Sequence, residues 1–322
     1  MSDEQPGPGP GLKPIALSQE PAARSVPPAP FEAIAIVGLG LIGGSVALAV
    51  RNAWPSAVVM GVDADDVIDK ARARGAVEVA SSNLATVSDA DLVVLAAPVQ
   101  QNIGRLLELP RHVRRSTVVT DVGSTKRAIV DAANRIREEV TFVGGHPLAG
   151  ATSGGIESAS LDLFVGRRWL FTPEADASRD TRERLYAFVS AIGAQPHSMG
   201  AAEHDHLMAF ISHLPQLAAS VLMQVAGDEV GAPGLQFAGP GFLDTTRLAD
   251  SPSGIWRDIC LTNADYLQTA LDRLVEALNG LRAHLTDRDA VDQVFAPARK
   301  WRERMRAAAE PRPDHSPEGE KA

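Results

Sequence analysis

Residues 35–45, AIVGLGLIGGS, decide the fold of this chain, because an apolar strand, a glycine-rich turn and the start of a helix follow one another there. The glycines have the spacing Gly38-x-Gly40-x-x-Gly43. The first permits a tight turn, the second lets backbone approach a ligand, and the third allows close packing of the helix. A helix that begins here presents free N–H groups and a partial positive charge. The stretch therefore predicts a site for the pyrophosphate of a dinucleotide.

The residues that follow this turn predict which dinucleotide binds. Asp63 comes 20 positions after Gly43, at the end of the next apolar run, where a carboxylate can accept hydrogen bonds from ribose hydroxyls. Asp63 and Asp65 would repel a 2′-phosphate, and no cation follows before Lys70. We therefore expect NAD rather than NADP. The predicted cofactor-binding residues are Gly38, Gly40, Leu41, Ile42, Gly43, Asp63, Ala97 and Pro98.

Short apolar runs alternate with helical stretches up to about residue 145. Most runs are continuously apolar, which is typical of parallel strands that are buried on both faces. Their ends carry Gly, Asp, Pro or His, where loops meet ligands in such sheets. The pattern predicts an α/β fold, a Rossmann-type domain with a mostly parallel sheet. The predicted strands lie at 33–38, 57–63, 91–98, 116–123, 141–146, 167–173 and 195–200.

Long apolar helices are expected after residue 200. Residues 201–227 read as one helix, in which Pro215 frees the carbonyl of Ile211 and predicts a kink. More helix is expected at 253–285 and 287–308. So much apolar helix surface is typical of a core shared between subunits, which predicts an all-helical substrate and dimerisation domain in a homodimer.

Composition limits the classes of partner and cofactor. The chain has 322 residues and a net charge of −9, so it has no excess of cations for nucleic acid. The single cysteine, Cys260, cannot form an internal disulfide, and no Cys/His spacing predicts a metal site. No apolar run approaches the roughly 20 residues of a membrane helix. We expect a cytoplasmic protein that acts on a small molecule, without nucleic acid, membrane or metal.

The predicted domain organisation follows from these patterns and from the two ends of the chain, which are rich in Pro, Gly and Ala or in polar residues. It consists of a disordered tail over 1–30, an NAD-binding domain over 31–200, a helical domain over 201–308 and a disordered tail over 309–322.

Three later stretches resemble one family of enzymes. They are DVGSTK at 121–126, GGHPLAG at 144–150, and the pair ISHLPQ at 211–216 and GFLDTTRLADSPSGIWRDI at 241–259. In this order they resemble the prephenate/arogenate (cyclohexadienyl) dehydrogenases of tyrosine biosynthesis. The resemblance covers about residues 32–305. It implies NAD-dependent oxidative decarboxylation of prephenate to 4-hydroxyphenylpyruvate, or of arogenate to tyrosine.

The resemblance also implies roles for single side chains. His146 is expected to accept the proton of the substrate hydroxyl, since a neutral imidazole is a base near neutral pH. Ser124 is expected to orient that hydroxyl and His146, although serine at this place is also a favoured N-cap of a helix. Arg247 is expected to hold a substrate carboxylate through two parallel hydrogen bonds, with Arg257 as a weaker candidate.

The helix around Pro215 supplies further candidates. Ser212 and His213 are expected to reach the substrate ring and the nicotinamide. Gln216 stands where many prephenate-preferring members have histidine (SHLPH), and its neutral amide is expected to face the substrate side chain, which leaves the preferred substrate open. On an ideal helix His206 lies within about 20° of His213, whereas His204 lies opposite His213, so His206 rather than His204 can support the site if the kink does not rotate it away. The alternative, which the sequence favours, is that both are polar residues at the start of a helix.

Two other interpretations remain open. A β-hydroxyacid or 6-phosphogluconate-type dehydrogenase has the same architecture but normally needs a lysine in the helical half, and residues 200–290 contain none. A redox-sensing NAD-binding regulator would have no need of His146, Ser124 and Arg247 together. The sequence leaves open the strictness for NAD, feedback by tyrosine and the oligomer beyond a dimer.

Overall fold

The computed structural model describes residues 28–309 except 152 and 176, so the predicted tails lie almost wholly outside the described residues. The first part of this range forms a sheet covered by helices, and the second part is helical. The strands are β1 (Ala33–Val37), β2 (Val58–Val62), β3 (Val79–Ser81), β4 (Leu92–Leu95), β5 (Val118–Asp121), β6 (Thr141–Pro147), β7 (Arg168–Thr172) and β8 (Gln195–Ser198).

The eight described strands form one sheet in the order β3-β2-β1-β4-β5-β6-β7-β8. All neighbours run parallel except β6 and β7, which are antiparallel. The carboxyl ends of the first six strands therefore lie along one edge of the sheet. The mostly parallel Rossmann-type sheet is confirmed. The short strand β3 was not predicted, because its three residues are exposed or half-buried and give no apolar run.

Helices cover both faces of the sheet because alternate strand residues point to opposite sides. The helices are α1 (Leu41–Ala53), α2 (Asp65–Ala73), α3 (Val99–Glu108), α4 (Arg127–Asn134) and α5 (Arg179–Ala191). Ile34 and Ile36 pack with α1, α2 and α5, whereas Ala35 and Val37 pack with α3 and α4. Short 3₁₀ turns occupy Leu84–Val87, Leu109–Arg111 and Ile156–Ser158.

The second half of the described chain consists of helices and a 3₁₀ turn at Arg247–Asp250. The helices are α6 (Ala201–Met208), α7 (Leu214–Leu235), α8 (Pro240–Thr246), α9 (Ser253–Thr262), α10 (Ala264–Ala283) and α11 (Arg288–Ala309). The helix α8 and the break between α9 and α10 at Asn263 were not predicted.

The predicted irregularity at Pro215 takes the form of a π-helical turn, Ala209–His213, which joins α6 to α7. Proline lacks an N–H, so the regular hydrogen-bond ladder cannot pass this point, and a wider turn absorbs the defect. The helix also runs further than predicted, to Leu235, with a second break at Gly231, where φ is +61°.

One helical run within the described residues, Ala201–Leu235, is long and apolar enough to cross a membrane by length and composition, with a mean hydropathy of 1.3. Only 28% of its most apolar window is buried in the single chain. The sequence led us to expect no apolar segment as long as a membrane helix, and this helical run does not meet that expectation. Core helices of soluble proteins pass the same test, and the helix packs against α8 and α10.

Candidate active site

The glycine-rich turn joins β1 to α1. Gly38 has φ +99°, and a Cβ built on it would lie 2.6 Å from the amide nitrogen of Ala97. A Cβ on Gly43 would lie 1.9 Å from the carbonyl oxygen of Gly38. A Cβ on Gly40 would meet nothing within 4 Å. Contacts inside the protein thus require Gly38 and Gly43, whereas Gly40 leaves backbone open to a ligand.

The N-terminus of α1 has the properties of an anion site. Its N-cap, Gly40, has no side chain that could accept from the helix, and no acidic residue lies in the first turn. The first amide groups of a helix have no acceptor within it, and their dipoles attract a negative charge. Leu41, Ile42 and Gly43 supply these amide groups, so the residues present fit a pyrophosphate.

Asp63 closes the glycine-rich turn from the end of β2. Its carboxylate accepts hydrogen bonds from the N–H of Leu39 at 2.5 Å and of Ala64 at 2.7 Å. Asp63 therefore has a structural role in the turn, and its contact with ribose stays a prediction. Ala97 lies against Gly38 and donates its N–H to Asn102 at 3.0 Å, while Pro98 is exposed beside it.

A buried ion pair lies under the end of β6. Lys126 and Asp121 are both fully buried, and the ammonium donates to the Asp121 carboxylate and, at 2.7 Å, to the carbonyl of Gly145. The other oxygen of Asp121 accepts from the N–H of Gly145 at 3.0 Å. Burial lowers the pKa of Lys126, while Asp121 and Asp205 act in the opposite direction. The ion pair therefore hydrogen-bonds both the N–H and the carbonyl of Gly145, the residue before His146.

Asp121 and Lys126 lie within the stretch DVGSTK, but no role was predicted for either residue. The sequence did contain a sign of this ion pair, since an aspartate at the end of an apolar strand is followed five positions later by a lysine. Their complete burial was not predictable, because it depends on β6 and α6 covering them.

His146 is half-buried at the end of β6, where it pairs with Leu170 of β7. Its Nδ1 lies 2.9 Å from Nε2 of His204, with the ring centroids 5.1 Å apart. Burial lowers the pKa of His146 well below its ordinary value, and His204, Lys126 and His213 lower it further. The ring is therefore neutral near pH 7 and has a free lone pair for a proton.

His204 and Asp205 continue this contact into the helical half. Both are fully buried, and His204 Nδ1 donates to an Asp205 oxygen at 2.8 Å. The interpretation that His206, rather than His204, supports the site was wrong. His206 is exposed and packs against the rings of Phe210 and Tyr266. The ideal-helix estimate failed because the π-helical turn between positions 204 and 213 changes the rotation per residue.

Ser124 is half-buried in the loop between β5 and α4. The interpretation of Ser124 as the N-cap is wrong, because α4 begins at Arg127. Asp205 caps this helix instead, accepting from the N–H of Lys126 at 2.7 Å and of Arg127 at 2.9 Å. Among the described residues the Ser124 hydroxyl has no recorded partner, so its role in orienting the substrate stays a prediction.

Ser212 and His213 lie in the π-helical turn. Ser212 is half-buried, and His213 is 1% exposed. The amide of Asn263 lies 3.3 Å from His213 Nδ1, and the edge of Trp256 approaches the imidazole. Within the described residues His213 Nε2 is buried without a partner. Burial lowers the pKa of His213 to about 4.

Gln216 connects α7 to the segment that carries Arg247. Its amide nitrogen donates to the Leu248 carbonyl at 2.6 Å and to Ser220 at 3.3 Å, and its oxygen accepts from Ser251 at 3.2 Å. Gln216 is 4% exposed, so the predicted contact with the substrate side chain would compete with these bonds. That contact stays a prediction.

Arg247 begins the 3₁₀ turn after α8, and its side chain is exposed. No partner for it is recorded among the described residues, which leaves the guanidinium available for an anion. The weaker candidate, Arg257, is also exposed, on α9. The structure brings His146, His204, Asp205, Lys126 and Asp121 into one connected network, and it records no contact between this network and Arg247.

No group of three or more His, Cys, Asp or Glu side chains in the part of the chain that the structure describes is placed to hold a metal ion.

Two family models match this chain in succession. Residues 46–197 match the nucleotide-binding domain of prephenate dehydrogenase, and residues 200–296 match its dimerisation domain. Prephenate dehydrogenase of Bacillus subtilis is 34% identical over 280 residues, which cover 84% of this chain and 76% of the relative. The chain belongs to the prephenate dehydrogenase family.

Solved structures of the family have the same fold. Prephenate dehydrogenase of Aquifex aeolicus, in complex with hydroxyphenyl propionate and NAD+, is 28% identical with a TM-score of 0.78, over 86% of this chain and 98% of that one. Arogenate dehydrogenase of Synechocystis is 27% identical with a TM-score of 0.69, over the same shares of the two chains. This chain is thus similar to enzymes named for both substrates.

Proposed function

We propose that this chain catalyses the NAD-dependent oxidative decarboxylation of prephenate to 4-hydroxyphenylpyruvate. The observation that carries the proposal is the position of His146, a half-buried imidazole bonded to His204 at the edge of the sheet that also bears the glycine-rich turn. Family membership, with the Bacillus subtilis relative at 34% identity, supports prephenate as the substrate class.

The turn around Gly40 and the free N-terminus of α1 would hold the pyrophosphate of NAD, with Asp63 near the adenosine ribose. Asp63 and Asp65 carry negative charge where a 2′-phosphate would lie, and Lys70 is paired with Glu157 at 2.6 Å rather than free to bind one. Both facts favour NAD over NADP. When bound, NAD supplies a nicotinamide ring that accepts hydride.

His146 acts on the substrate hydroxyl. Its Nε2 accepts the hydroxyl proton as hydride leaves the ring carbon that bears this oxygen. The bond to the ring carboxylate then breaks, carbon dioxide leaves, and its electron pair makes the ring aromatic. The proton returns to the oxygen as the ring becomes a phenol, so His146 is unchanged after one turnover. Ser124 would orient the hydroxyl toward this nitrogen.

Arg247 would bind the carboxylate of the substrate side chain, with Gln216 holding the turn on which Arg247 lies. A guanidinium forms two parallel hydrogen bonds to a carboxylate, which fixes the ring relative to His146. Ser212 and His213 would contact the substrate ring from the π-helical turn. The buried, unpartnered Nε2 of His213 among the described residues supports this assignment.

Arogenate is the second candidate substrate. The two substrates differ in the side chain, a keto acid in prephenate and an amino acid in arogenate. Gln216 is neutral, so it neither repels nor pairs with the additional ammonium group of arogenate. The similarity to the Synechocystis arogenate dehydrogenase favours testing this substrate too.

The active form is expected to be a homodimer in the cytoplasm. The match of residues 200–296 to a dimerisation domain supports the dimer. The helical half also exposes large apolar side chains that need a partner surface, among them Val225, Leu261 and Leu278.

The experiment compares rates with prephenate and arogenate, each with NAD and then NADP, from absorbance at 340 nm. We expect the highest kcat/KM with prephenate and NAD. A higher value with arogenate would assign the chain to the second substrate. NAD binding with no turnover of either substrate would favour the NAD-binding regulator.

A further inference from the structure

A chain of hydrogen bonds runs from the sheet into the helical half. It starts at His146 on β6, continues 2.9 Å to Nε2 of His204 on α6, and ends 2.8 Å from His204 Nδ1 at the carboxylate of Asp205. His204 and Asp205 are each 0% exposed. Neither residue would touch the substrate, so the mechanism above leaves both without a role.

The donors and acceptors in this chain can be assigned from chemistry. An ionised carboxylate only accepts, so the Nδ1 of His204 must carry a hydrogen. Burial lowers the pKa of His204, and the ring is therefore neutral near pH 7, with a lone pair on Nε2. Nε2 then accepts, so the Nδ1 of His146 must donate. The remaining nitrogen of His146, Nε2, keeps its lone pair.

We propose that Asp205 and His204 are positioning residues that fix His146 as its Nδ1–H tautomer, with the lone pair of Nε2 directed at the substrate hydroxyl. The chemical reason is that a base must present a lone pair, and an isolated neutral histidine populates both tautomers. This inference rests on the proposed function only in naming the hydroxyl as the proton donor.

Asp205 is itself held by the sheet half, so it cannot rotate away. It accepts the backbone N–H groups of Lys126 and Arg127 at the start of α4. Arg127 also donates from its side chain to Asp205 at 3.3 Å and to Asp265 on α10 at 2.7 Å. The tautomer of the base therefore depends on the contact between the two halves of the chain.

The same hydrogen bonds also stabilise His146 after it has accepted the proton of the substrate hydroxyl. The new imidazolium donates from Nδ1 to His204, which in turn donates to the Asp205 carboxylate. The positive charge is thereby stabilised by a buried negative charge two hydrogen bonds away. No proton has to leave His204 for this effect, so Asp205 stays ionised throughout.

The direct test is the tautomer of His146 in the complete protein, read by two-bond ¹H–¹⁵N NMR correlations with ¹⁵N-labelled histidine. His146→Asn identifies the signal that belongs to His146. We expect hydrogen on Nδ1 and a bare Nε2 at pH 7.5. A signal with hydrogen on Nε2 would overturn the proposal. This readout needs no substrate, so it is independent of whether prephenate is oxidised.

Variants of His204 test whether the tautomer of His146 depends on its hydrogen bond to His204. His204→Leu removes the acceptor, so the His146 signal should shift toward a mixture of tautomers and kcat should fall about 10²-fold, with KM little changed. His204→Gln leaves an amide oxygen close to the position of Nε2 and should restore much of kcat. Equal activity and an unchanged signal in His204→Leu would contradict the proposal.

Asp205→Asn removes the buried negative charge. One oxygen of Asp205 accepts both from the N–H of Lys126 and from Nδ1 of His204, so the asparagine oxygen should keep these bonds and leave the tautomer of His146 unchanged. We expect hydrogen to stay on Nδ1 of His146 and kcat to fall about 10²-fold, because the imidazolium loses its buried counter-charge. A wild-type kcat in the folded variant would contradict the role of Asp205. Because Asp205 also caps α4, the variant is first compared with wild type by circular dichroism and NAD binding. If Asp205→Asn does not fold, the comparison of His204→Leu with His204→Gln tests the proposal by itself.

Discussion

At the scale of single residues, the site depends on polar groups that are buried and connected. A buried charge is costly unless it is paired and hydrogen-bonded, and Asp121, Lys126 and Asp205 all meet that condition. Burial keeps His146 neutral, and the hydrogen bonds to His204 and around Gly145 hold it in place. The sequence pointed to His146 through HPLAG, but the supporting residues are separated from it by up to 59 positions and become neighbours only in the fold.

Replacement of the proposed base tests its role. His146→Asn should lower kcat by about 10²–10⁴, because asparagine cannot accept the hydroxyl proton, while the affinity for NAD should stay near that of wild type. Turnover is followed at 340 nm, and NAD affinity by calorimetry. The control is His197→Asn on β8, which is exposed and should behave as wild type. Wild-type kcat in His146→Asn would exclude His146 as the base.

Arg247→Gln tests the carboxylate anchor. It should raise the KM for prephenate on the order of 10²-fold, because the neutral amide cannot replace the paired guanidinium. Arg257→Gln removes an exposed arginine from the neighbouring helix α9 and should have a much smaller effect. Initial rates give KM for both variants. A larger rise in KM for Arg257→Gln than for Arg247→Gln would make Arg257 the carboxylate anchor.

The low pKa of His213 predicts a pH dependence of stability. The unfolded chain protonates this ring near pH 6.5, whereas the folded protein does so only near pH 4. The unfolded state therefore binds more protons between these values, and the folded state loses stability as the pH falls through that window. The part of this loss that is due to His213 should be about 2 kcal/mol at pH 5 relative to pH 7.5.

Urea unfolding of wild type and of His213→Gln at the two pH values measures this effect. The variant should lose less stability on acidification than wild type. Equal losses in the two proteins would show that His213 does not contribute to the loss of stability.

At the scale of elements, the irregular helix turns carry the functional residues. The π-helical turn 209–213 was predictable as a kink from Pro215, but its width was not, and this width decides which histidines face inward. The end of β6 and the glycine-rich turn were predictable, since both follow continuous apolar runs. The interpretation of Ser124 as an N-cap placed the start of α4 too early. The helix is capped by Asp205 of α6 and not by a residue of the local sequence.

Gln216 gives a prediction for one such element, the 3₁₀ turn that carries Arg247. Gln216→Leu removes the hydrogen bonds to Leu248 and Ser251 and should let the turn move. KM for prephenate should rise about tenfold, and addition of Arg247→Gln should then have less effect than in wild type. Gln268→Leu, on the exposed side of α10, is the matched control. Fully additive effects of the two changes would argue against this coupling.

At the scale of the whole molecule, the two halves differ in how they are stabilised. The sheet has clusters of fully buried side chains on both faces, whereas α11 has no buried residue recorded and α7 has two. The alternation of strands and helices made the first half predictable. The second half was predictable only as helical, because many of its large apolar side chains are exposed in the described chain and do not form a core of their own.

A charge placed on the exposed apolar surface tests the dimer. Val225→Asp changes a side chain that is 61% exposed in the single chain and should shift the protein toward monomers, since a buried unpaired carboxylate is unfavourable. Sedimentation velocity measures the shift. Leu107→Asp, on α3 of the sheet half, is 40% exposed and should leave the assembly unchanged. A dimer that persists in Val225→Asp would place the interface elsewhere.

A crystal structure with NAD and 4-hydroxyphenylpropionate would show whether His146 and Arg247 bind one small anion beside the dinucleotide. We expect the phenol oxygen within hydrogen-bond distance of His146 Nε2 and the carboxylate on the Arg247 guanidinium of either subunit. A ligand that binds away from His146, or a carboxylate held by a different cation while Arg247 faces solvent, would contradict it.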